Sequence, residues 1–329
     1  MKKGTYIKVI IFVLCFAVIF ASLIIGIGLV EKIINKSDGF NTDDGYAYFG
    51  DELNYEGKKY LPKKYLESYL ILGIDNKEHV GSAQSDFILL VVVDKAEETV
   101  EMLQFNRDTM TEIQKVTRDG KVYDRFVGQL ALAYAYGTDG KSACRNSVDA
   151  VENLLYGINI DHYISLTMNA VSKINDSVGG VTVSLLDDFT HVNESWVKGT
   201  TVTLKGNEAL TYIRERGALD DSSNISRMER QRQYMNALFD KYGKADAEAS
   251  VNLVSVISEQ LISDCTVDQL SKLIERINTY DNGGIYTLEG TVKNNVQQNV
   301  EFYPDEAEMK RKVVELFYSP VESEKNAEG

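Results

Sequence analysis

Residues Leu210 to Gln233 carry five arginines, Arg214, Arg216, Arg227, Arg230 and Arg232, with Gln231 between the last two. A guanidinium stays charged at any physiological pH and presents a planar fork of donors that matches paired phosphate oxygens. The chain has a net charge of −14, so this focusing reads as a pocket for a phosphate or diphosphate. The competing reading is a helix surface laced with ion pairs to Glu215, Asp220, Asp221 and Glu229, because mixed charges on a helix face are ordinary.

Carboxylates stand where such a pocket would need them. Asp75 follows the apolar run Tyr69–Leu72 after Gly73 and Ile74, Asp86 immediately precedes Phe87–Val93, and Arg107 and Asp108 follow Thr99–Phe105. Polar groups just off the ends of central strands are where open α/β sheets hold ligands, although an Asp beside a strand is also an ordinary turn residue. Two carboxylates can hold one Mg²⁺, which takes oxygen ligands and substrate phosphates. Phosphoryl transfer needs mainly positioning and charge neutralisation, so it runs without a covalent protein nucleophile. That suits a chain with no Gly-x-Ser-x-Gly elbow, Walker loop or zinc pattern. His79, His162 and His191 are scattered.

The elements that must position these groups alternate in type. Tyr69–Leu72, Phe87–Val93 and Thr99–Phe105 read as strands, and their apolar runs require cover on both faces. Ser142–Tyr156 reads as a helix stopped by Gly157, His162–Leu166 as a strand, Met168–Ser177 as a helix, and Gly180–Leu185 and Thr200–Leu204 as strands. Gly206–Ile213 predicts a helix delivering Arg214. Ser226 with Glu229 has the spacing of a capping box, which starts the next helix at Ser226. Ala249–Ser263 and Val267–Tyr280 predict amphipathic helices, the second capped by Thr266 and Gln269. Gly284–Leu288 and Val300–Tyr303 read as strands, and Pro304 opens a last helix to Tyr318. The expected fold is α/β, a mixed central β-sheet covered by helices on both faces.

Val9 to Val30 contains no charged residue, and a span of about 20 apolar residues crosses a bilayer. Lys2, Lys3 and Lys8 precede it, which keeps the N-terminus cytoplasmic and places the rest outside. The bulky Ile24–Ile25 and Leu29–Val30 pairs oppose a cleaved signal peptide. The expected organisation is a cytoplasmic tail (1–8), one transmembrane helix (9–30), an extracytoplasmic stalk (31–66) with an accessory element near Tyr46–Phe49, the folded domain (67–318), and a polar tail (319–329). Cys144 and Cys265 are distant and read as free thiols. The acidic balance argues against a nucleic-acid partner.

Leu70–Ile71–Leu72–Gly73–Ile74–Asp75, Ser85–Asp86, Arg107–Asp108–Thr109 and Ala133–Tyr134–Ala135–Tyr136–Gly137 come in a telling order. They are followed by Gly179–Gly180–Val181, Gly206 with Ala209–Leu210, Arg214-x-Arg216, and Arg227 with Arg230–Gln231. Across residues 68–240 this series resembles the LytR-CpsA-Psr family. The resemblance implies a membrane-anchored, extracytoplasmic α/β/α phosphotransferase. Such an enzyme moves a glycopolymer, of the wall teichoic acid or capsular polysaccharide kind, from an undecaprenyl-diphosphate carrier to peptidoglycan with Mg²⁺. It implies that Asp75 and Asp86 hold Mg²⁺ or act catalytically together with Arg107. Arg107, Arg214, Arg216, Arg227 and Gln231 would hold the diphosphate, and an apolar tunnel would take the lipid tail.

The chain departs from the family pattern at four positions. Asn106 stands where Pro is usual before the Arg-Asp pair, Gln84 where Arg is usual before Ser-Asp, and Gln129 and Ala131 replace the usual Lys-x-Asn. Arg125 is a candidate substitute for the lost basic group. These changes keep open a second reading, a polyprenyl-phosphate-binding module without turnover. Transcriptional regulation is opposed by the anchor, the charge and the lack of a basic DNA-reading helix.

Overall fold

The structure is a computed structural model that describes residues 52–75, 81, 83–117, 119–242 and 255–321. In chain order the first strands are β1 (Leu53–Tyr55), β2 (Lys58–Pro62), β3 (Leu66–Ile74), β4 (Ser85–Asp94), β5 (Thr99–Phe105), β6 (Met110–Val116) and β7 (Val122–Gln129). A 3-10 helix over Leu130–Tyr136 leads to helix α1 (Gly140–Leu154), then β8 (His162–Thr167), α2 (Ala170–Ser177), β9 (Val181–Ser184), β10 (Thr201–Leu204) and α3 (Asn207–Arg214). Helix α4 (Asn224–Tyr242), β11 (Leu261–Ser263), α5 (Val267–Thr279), β12 (Asp281–Thr287), β13 (Gly290–Asn294), β14 (Val300–Pro304), α6 (Glu306–Phe317) and β15 (Tyr318–Pro320) complete it.

The chain divides into two compact units. The smaller contains β1 and β2, an antiparallel hairpin within the segment expected to be stalk. Tyr46–Phe49 and the apolar run Val9–Val30 lie outside the described residues, among which no helix is long and apolar enough to cross a membrane.

The larger unit, Lys63–Tyr318, is built on a six-stranded sheet of order β11-β8-β3-β4-β5-β12. It is mixed, as expected: β3 runs parallel to β8 and antiparallel to β4, and β12 runs parallel to β5. Strand β4 is buried from Ile88 to Asp94 without alternation, so both faces of the sheet are covered. Each such Leu or Val contributes about 1.5–3 kcal/mol relative to an exposed position. Leu270, Leu273 and Ile277 of α5 close over Leu89, Val91 and Val93. A second core gathers α2, α3 and α4 around Phe189, Trp196 and Tyr212.

Local signals explain several boundaries. Thr266 and Gln269 form the capping box of α5. Gly157, at φ +82°, donates its N–H to the Glu152 carbonyl and ends the turn after α1. Both Cys144 and Cys265 are free.

Three expectations are corrected, and one element is new. Helix α4 begins at Asn224 rather than Ser226, because the Ser223 hydroxyl accepts the Ser226 N–H at 3.1 Å and takes the capping role. Of the helix expected over Ala249–Ser263, residues 249–254 lie outside the described residues and 255–260 are helical, but its end gives way to β11, whose Leu261–Ser263 pair antiparallel with β8. Pro304 closes β14 opposite Gly290, and the Asp305 carboxylate caps α6. The β6–β7 hairpin was not anticipated at all.

Candidate functional site

The ends of β3, β4 and β5 converge as their apolar runs require, and the polar residues just beyond them meet. Asp75, after β3, accepts the Gln84 N–H on Oδ1 at 2.8 Å and donates its own N–H to the Gln84 carbonyl. The Gln84 side chain in turn accepts from Arg107 Nη2. Arg107 Nη1 donates to Asp86 Oδ1 at 2.5 Å, and its Nε lies 3.6 Å from Asp108 Oδ1. From the first turn of α4, Arg227 Nη1 approaches the same Asp86 oxygen at 3.5 Å. Asp86 is thus shared by two guanidiniums, both largely buried.

Neutral amides hold this cluster in register. Asn106 Oδ1 accepts from the Asp108 N–H (2.9 Å) and from Asn224 Nδ2 (2.7 Å), tying the turn after β5 to the start of α4. Asn224 Oδ1 accepts from Arg227. Gln129, at the end of β7, donates to Asp108 Oδ1 (3.0 Å) and to the Val300 carbonyl (2.6 Å). The departures at Gln84, Asn106 and Gln129 are therefore three hydrogen-bonding side chains of one network. Arg125 does not substitute for a basic group there: it sits half-exposed on β7 with Glu112 at 3.5 Å.

The cluster is electrostatically tense. Burial pulls the Arg227 guanidinium down to about 10; Asp86 opposes the drop, and Arg216 and Arg107 add to it. The Nε atoms of Arg107 and Arg227 are buried without a hydrogen-bond partner among the described residues. Unpaired buried donors and mutually repelling cations are both relieved by an anion. Asp108 is pushed the other way. Burial raises its carboxyl above the usual carboxylate range, more than Arg107, Arg227 and Arg216 lower it. A carboxyl raised in the folded state contributes stability at low pH that is lost as pH climbs through its folded value. Asp108→Asn should therefore gain on the parent chain as pH rises from the ordinary carboxylate range through that value. Urea unfolding from pH 4 to 8 checks this, and parallel profiles for the two chains would contradict it.

The five arginines divide by environment. Arg216, half-buried, is close enough to act on Arg227 and Asp108, while Arg214 is exposed at the end of α3. Neither makes a side-chain hydrogen bond or ion pair among the described residues. Arg230 is fully buried and faces away from the cluster: it donates to Asp187 Oδ2 at 2.5 Å and to the Glu215 carbonyl, 5.6 Å from the Phe189 ring centre. It thereby fixes the turn that carries Arg216. Arg232 reaches Thr287 at 3.1 Å. No carboxylate of the expected surface set, Glu215, Asp220, Asp221 or Glu229, forms a salt bridge to these arginines. Removing one partner of a buried pair costs about 3–5 kcal/mol, so Asp187→Ala should lower unfolding free energy by about that amount. A loss below about 1 kcal/mol in urea unfolding, the range of a surface pair, would show that Arg230 does not need Asp187.

Beneath the cluster lies an apolar cavity of about 110 Å³ between β3, β8 and helices α2 and α4. Ile71, Phe87, Met168, Ile174, Met235 and Leu238 line it. Gly73 also belongs to the wall, and a Cβ there would sit 2.9 Å from that of its strand neighbour Phe87, too close without a shift. Gln231 also lines the cavity, its amide held by Gln104 (2.8 Å) and the Ile213 carbonyl (3.4 Å). Of the residues expected from sequence, Asp75, Asp86, Arg107 and Arg227 form one connected cluster, Arg216 flanks it, Arg214 stands outside it, and Gln231 roofs the cavity. Sequence reasoning assigned no role to Asn224, Asp187 or the cavity wall.

The chain is similar to known proteins along most of this unit. The polyisoprenyl-teichoic acid–peptidoglycan teichoic acid transferase TagU of Halalkalibacterium halodurans is 30% identical over 207 residues, 63% of this chain and 63% of that protein. This match spans just under two thirds of the relative's length. TagU of Enterococcus faecalis is 26% identical over 276 residues, covering 83% of this chain and 84% of its own. Among solved structures, Bacillus subtilis TagU aligns over 77% of this chain and 96% of its own, with a TM-score of 0.53 and 25% identity. The LytR_cpsA_psr family model matches residues 51–316. This chain belongs to the LytR-CpsA-Psr family.

Proposed function

We propose that the chain is a membrane-anchored, extracytoplasmic phosphotransferase that moves an anionic glycopolymer from an undecaprenyl-diphosphate carrier to peptidoglycan. The observation that carries this reading is the juxtaposition of the arginine–carboxylate cluster with the apolar cavity directly beneath it. A prenyl diphosphate has the same two halves. The names of the relatives, transferases of polyisoprenyl-linked teichoic acid to peptidoglycan, agree with it.

Arg107, Arg216 and Arg227 neutralise the diphosphate, with Arg214 at the exposed rim. Asp75 and Asp86 suit Mg²⁺: the Oδ2 oxygen of each makes no hydrogen bond or ion pair among the described residues, and that ion binds through one or two carboxylates, waters and substrate phosphates. When bound, it neutralises charge on the diphosphate oxygens. A hydroxyl oxygen of the acceptor sugar forms a bond to the polymer-linked phosphorus, and the bridging P–O bond breaks. Polyprenyl monophosphate leaves with that bond's electron pair, and the hydroxyl proton passes to a carboxylate of the Asp75–Asp86 pair. Arg107 and Arg227, fixed by Gln84 and Asn224, stabilise the charge that builds on the phosphoryl oxygens.

The test follows polyprenyl-diphosphate-linked polymer with peptidoglycan, with and without Mg²⁺. Metal-dependent transfer that Asp86→Ala abolishes supports the reading. Tight binding with no turnover in the presence of acceptor would establish the binding module instead.

A further inference from the structure

We infer that the amide-rich tip of the β13–β14 hairpin docks the acceptor saccharide, an inference that rests on the transfer reading above. Residues 294–299 read Asn294, Asn295, Val296, Gln297, Gln298, Asn299: five amides, one valine and no charge. Such a run is distinct in a chain with 26% charged residues. Val296 is 98% exposed.

The tip is a shaped surface. Asn295 Oδ1 accepts the N–H groups of Gln297 (2.9 Å) and Asn299 (3.0 Å), and its Nδ2 donates to Glu301 (3.1 Å). The backbone closes on itself through Asn295 N–H to the Asn299 carbonyl (3.0 Å) and Gln298 N–H to the Asn295 carbonyl (2.9 Å). Gln298 sits at φ +65°, a left-handed position that Gly would occupy at less cost. The Asn295 amide is spent on the turn; Asn299 Nδ2 donates to Gln297 Oε1 at a long 3.5 Å, and the exposed side chains of Gln297, Gln298 and Asn299 keep their remaining donors and acceptors towards solvent.

Its location points to an occupant. The hairpin is joined to the site: Phe302 N–H donates to the Asp108 carbonyl at 2.8 Å, Thr109 bridges to Phe302, and Gln129 holds the Val300 carbonyl. Along the ligand edge of the sheet the order is therefore the apolar cavity at β8 and β3, Asp75 and Asp86, Arg107 and Asp108 at β5, and then this hairpin. Displacement at phosphorus is in line, so the attacking hydroxyl enters on the side opposite the leaving group. The leaving group is the polyprenyl phosphate, whose tail belongs in the cavity. The hairpin lies on the other side.

Its chemistry agrees. Side-chain amides both donate and accept, as the hydroxyl and acetamido groups of a neutral sugar chain require. A polyanionic donor polymer would instead call for cations, and a membrane surface for a broader apolar or basic face, and residues 294–299 offer neither.

The experiment uses the full chain in detergent micelles, a short uncrosslinked peptidoglycan glycan strand as acceptor, and the double variant Gln297→Ala, Asn299→Ala. Loss of two hydrogen bonds should raise the acceptor KM about tenfold or more, with kcat and the donor KM unchanged. Gln298→Gly keeps the turn and tests a third amide separately. An unchanged acceptor KM overturns the inference, as does a rise confined to the donor KM, which would give the tip to the polymer. Titrating the glycan strand without donor separates this inference from the transfer reading. Binding weakened by the double variant supports it even in a chain that does not transfer, and absence of binding overturns it. Lipid-vesicle binding lost in Val296→Ser, with acceptor KM intact, overturns it in favour of a membrane contact.

Discussion

Arg227→Met should reduce transfer by about 10²–10³-fold, the range found when one preorganised donor to a developing charge is removed. The fold should lose little. Methionine fills a similar volume, and the substitution relieves the burial and the repulsion from Arg216 and Arg107 that depress this guanidinium. Asp86 keeps Arg107 as a partner. Removing one partner of a buried pair is costly when the other is left alone, as for Asp187, but here the remaining carboxylate stays matched and only the Asn224 side-chain oxygen loses its donor. Activity and stability should therefore separate. Transfer assays beside thermal unfolding of the same preparations check this. A variant that transfers within a factor of about 2 of the parent, far below the loss expected of such a donor, would remove Arg227 from the site. A variant that fails to fold would show that its bonds to Asn224 and Asp86 are structural first.

The second large effect is expected in the cavity. Ile174→Trp places an indole among Met168, Met235 and Leu238. At about 110 Å³ the space is already small, and an engineered cavity of about 150 Å³ admits only a benzene. A long prenyl chain should no longer bind, while inorganic diphosphate still should, because the arginine cluster lies beyond the β3, β4 and β5 ends and is untouched. Isothermal titration of the two ligands reads the difference. Overpacking costs about 1–3 kcal/mol, so unfolding should shift modestly. Equal retention of undecaprenyl phosphate would place the tail elsewhere.

Much of this was legible in the sequence because the signals were local. Strands β3, β4 and β5 show as uninterrupted apolar runs, and the charged residues at their ends could be placed before any partner was known. The Thr266–Gln269 cap lies within four residues of chain. The β6–β7 hairpin was hidden because Glu112, Lys115, Asp124 and Arg125 interrupt its apolar residues, and its stability rests on pairing across the turn. Strand β11 was hidden because the helical spacing before it runs on without a break. The amide network could not be read, since Asn106 and Asn224 stand 118 residues apart. Gln84 and Gln129 look like losses of positive charge against the family pattern; only the fold shows that they hold Arg107 and Asp108. The arginine stretch misled in part. Two of its five members, Arg230 and Arg232, face other partners.

The cavity wall is also the protein's own core. Met168, Leu238 and Tyr234, which line the cavity, belong to the apolar cluster that holds α2, α3 and α4 together. A guest tail longer than the space can enter only by parting those side chains, so each contact it makes replaces one that the empty protein already had. The exchange of one hydrocarbon surface for another is nearly level in free energy. Tail length then governs how far the helices must separate more than it governs how tightly the ligand is held. On the proposed function, discrimination between a free polyprenyl chain and one bearing a diphosphate would fall to the guanidiniums of the cluster, where the ligand brings negative charge to buried cations.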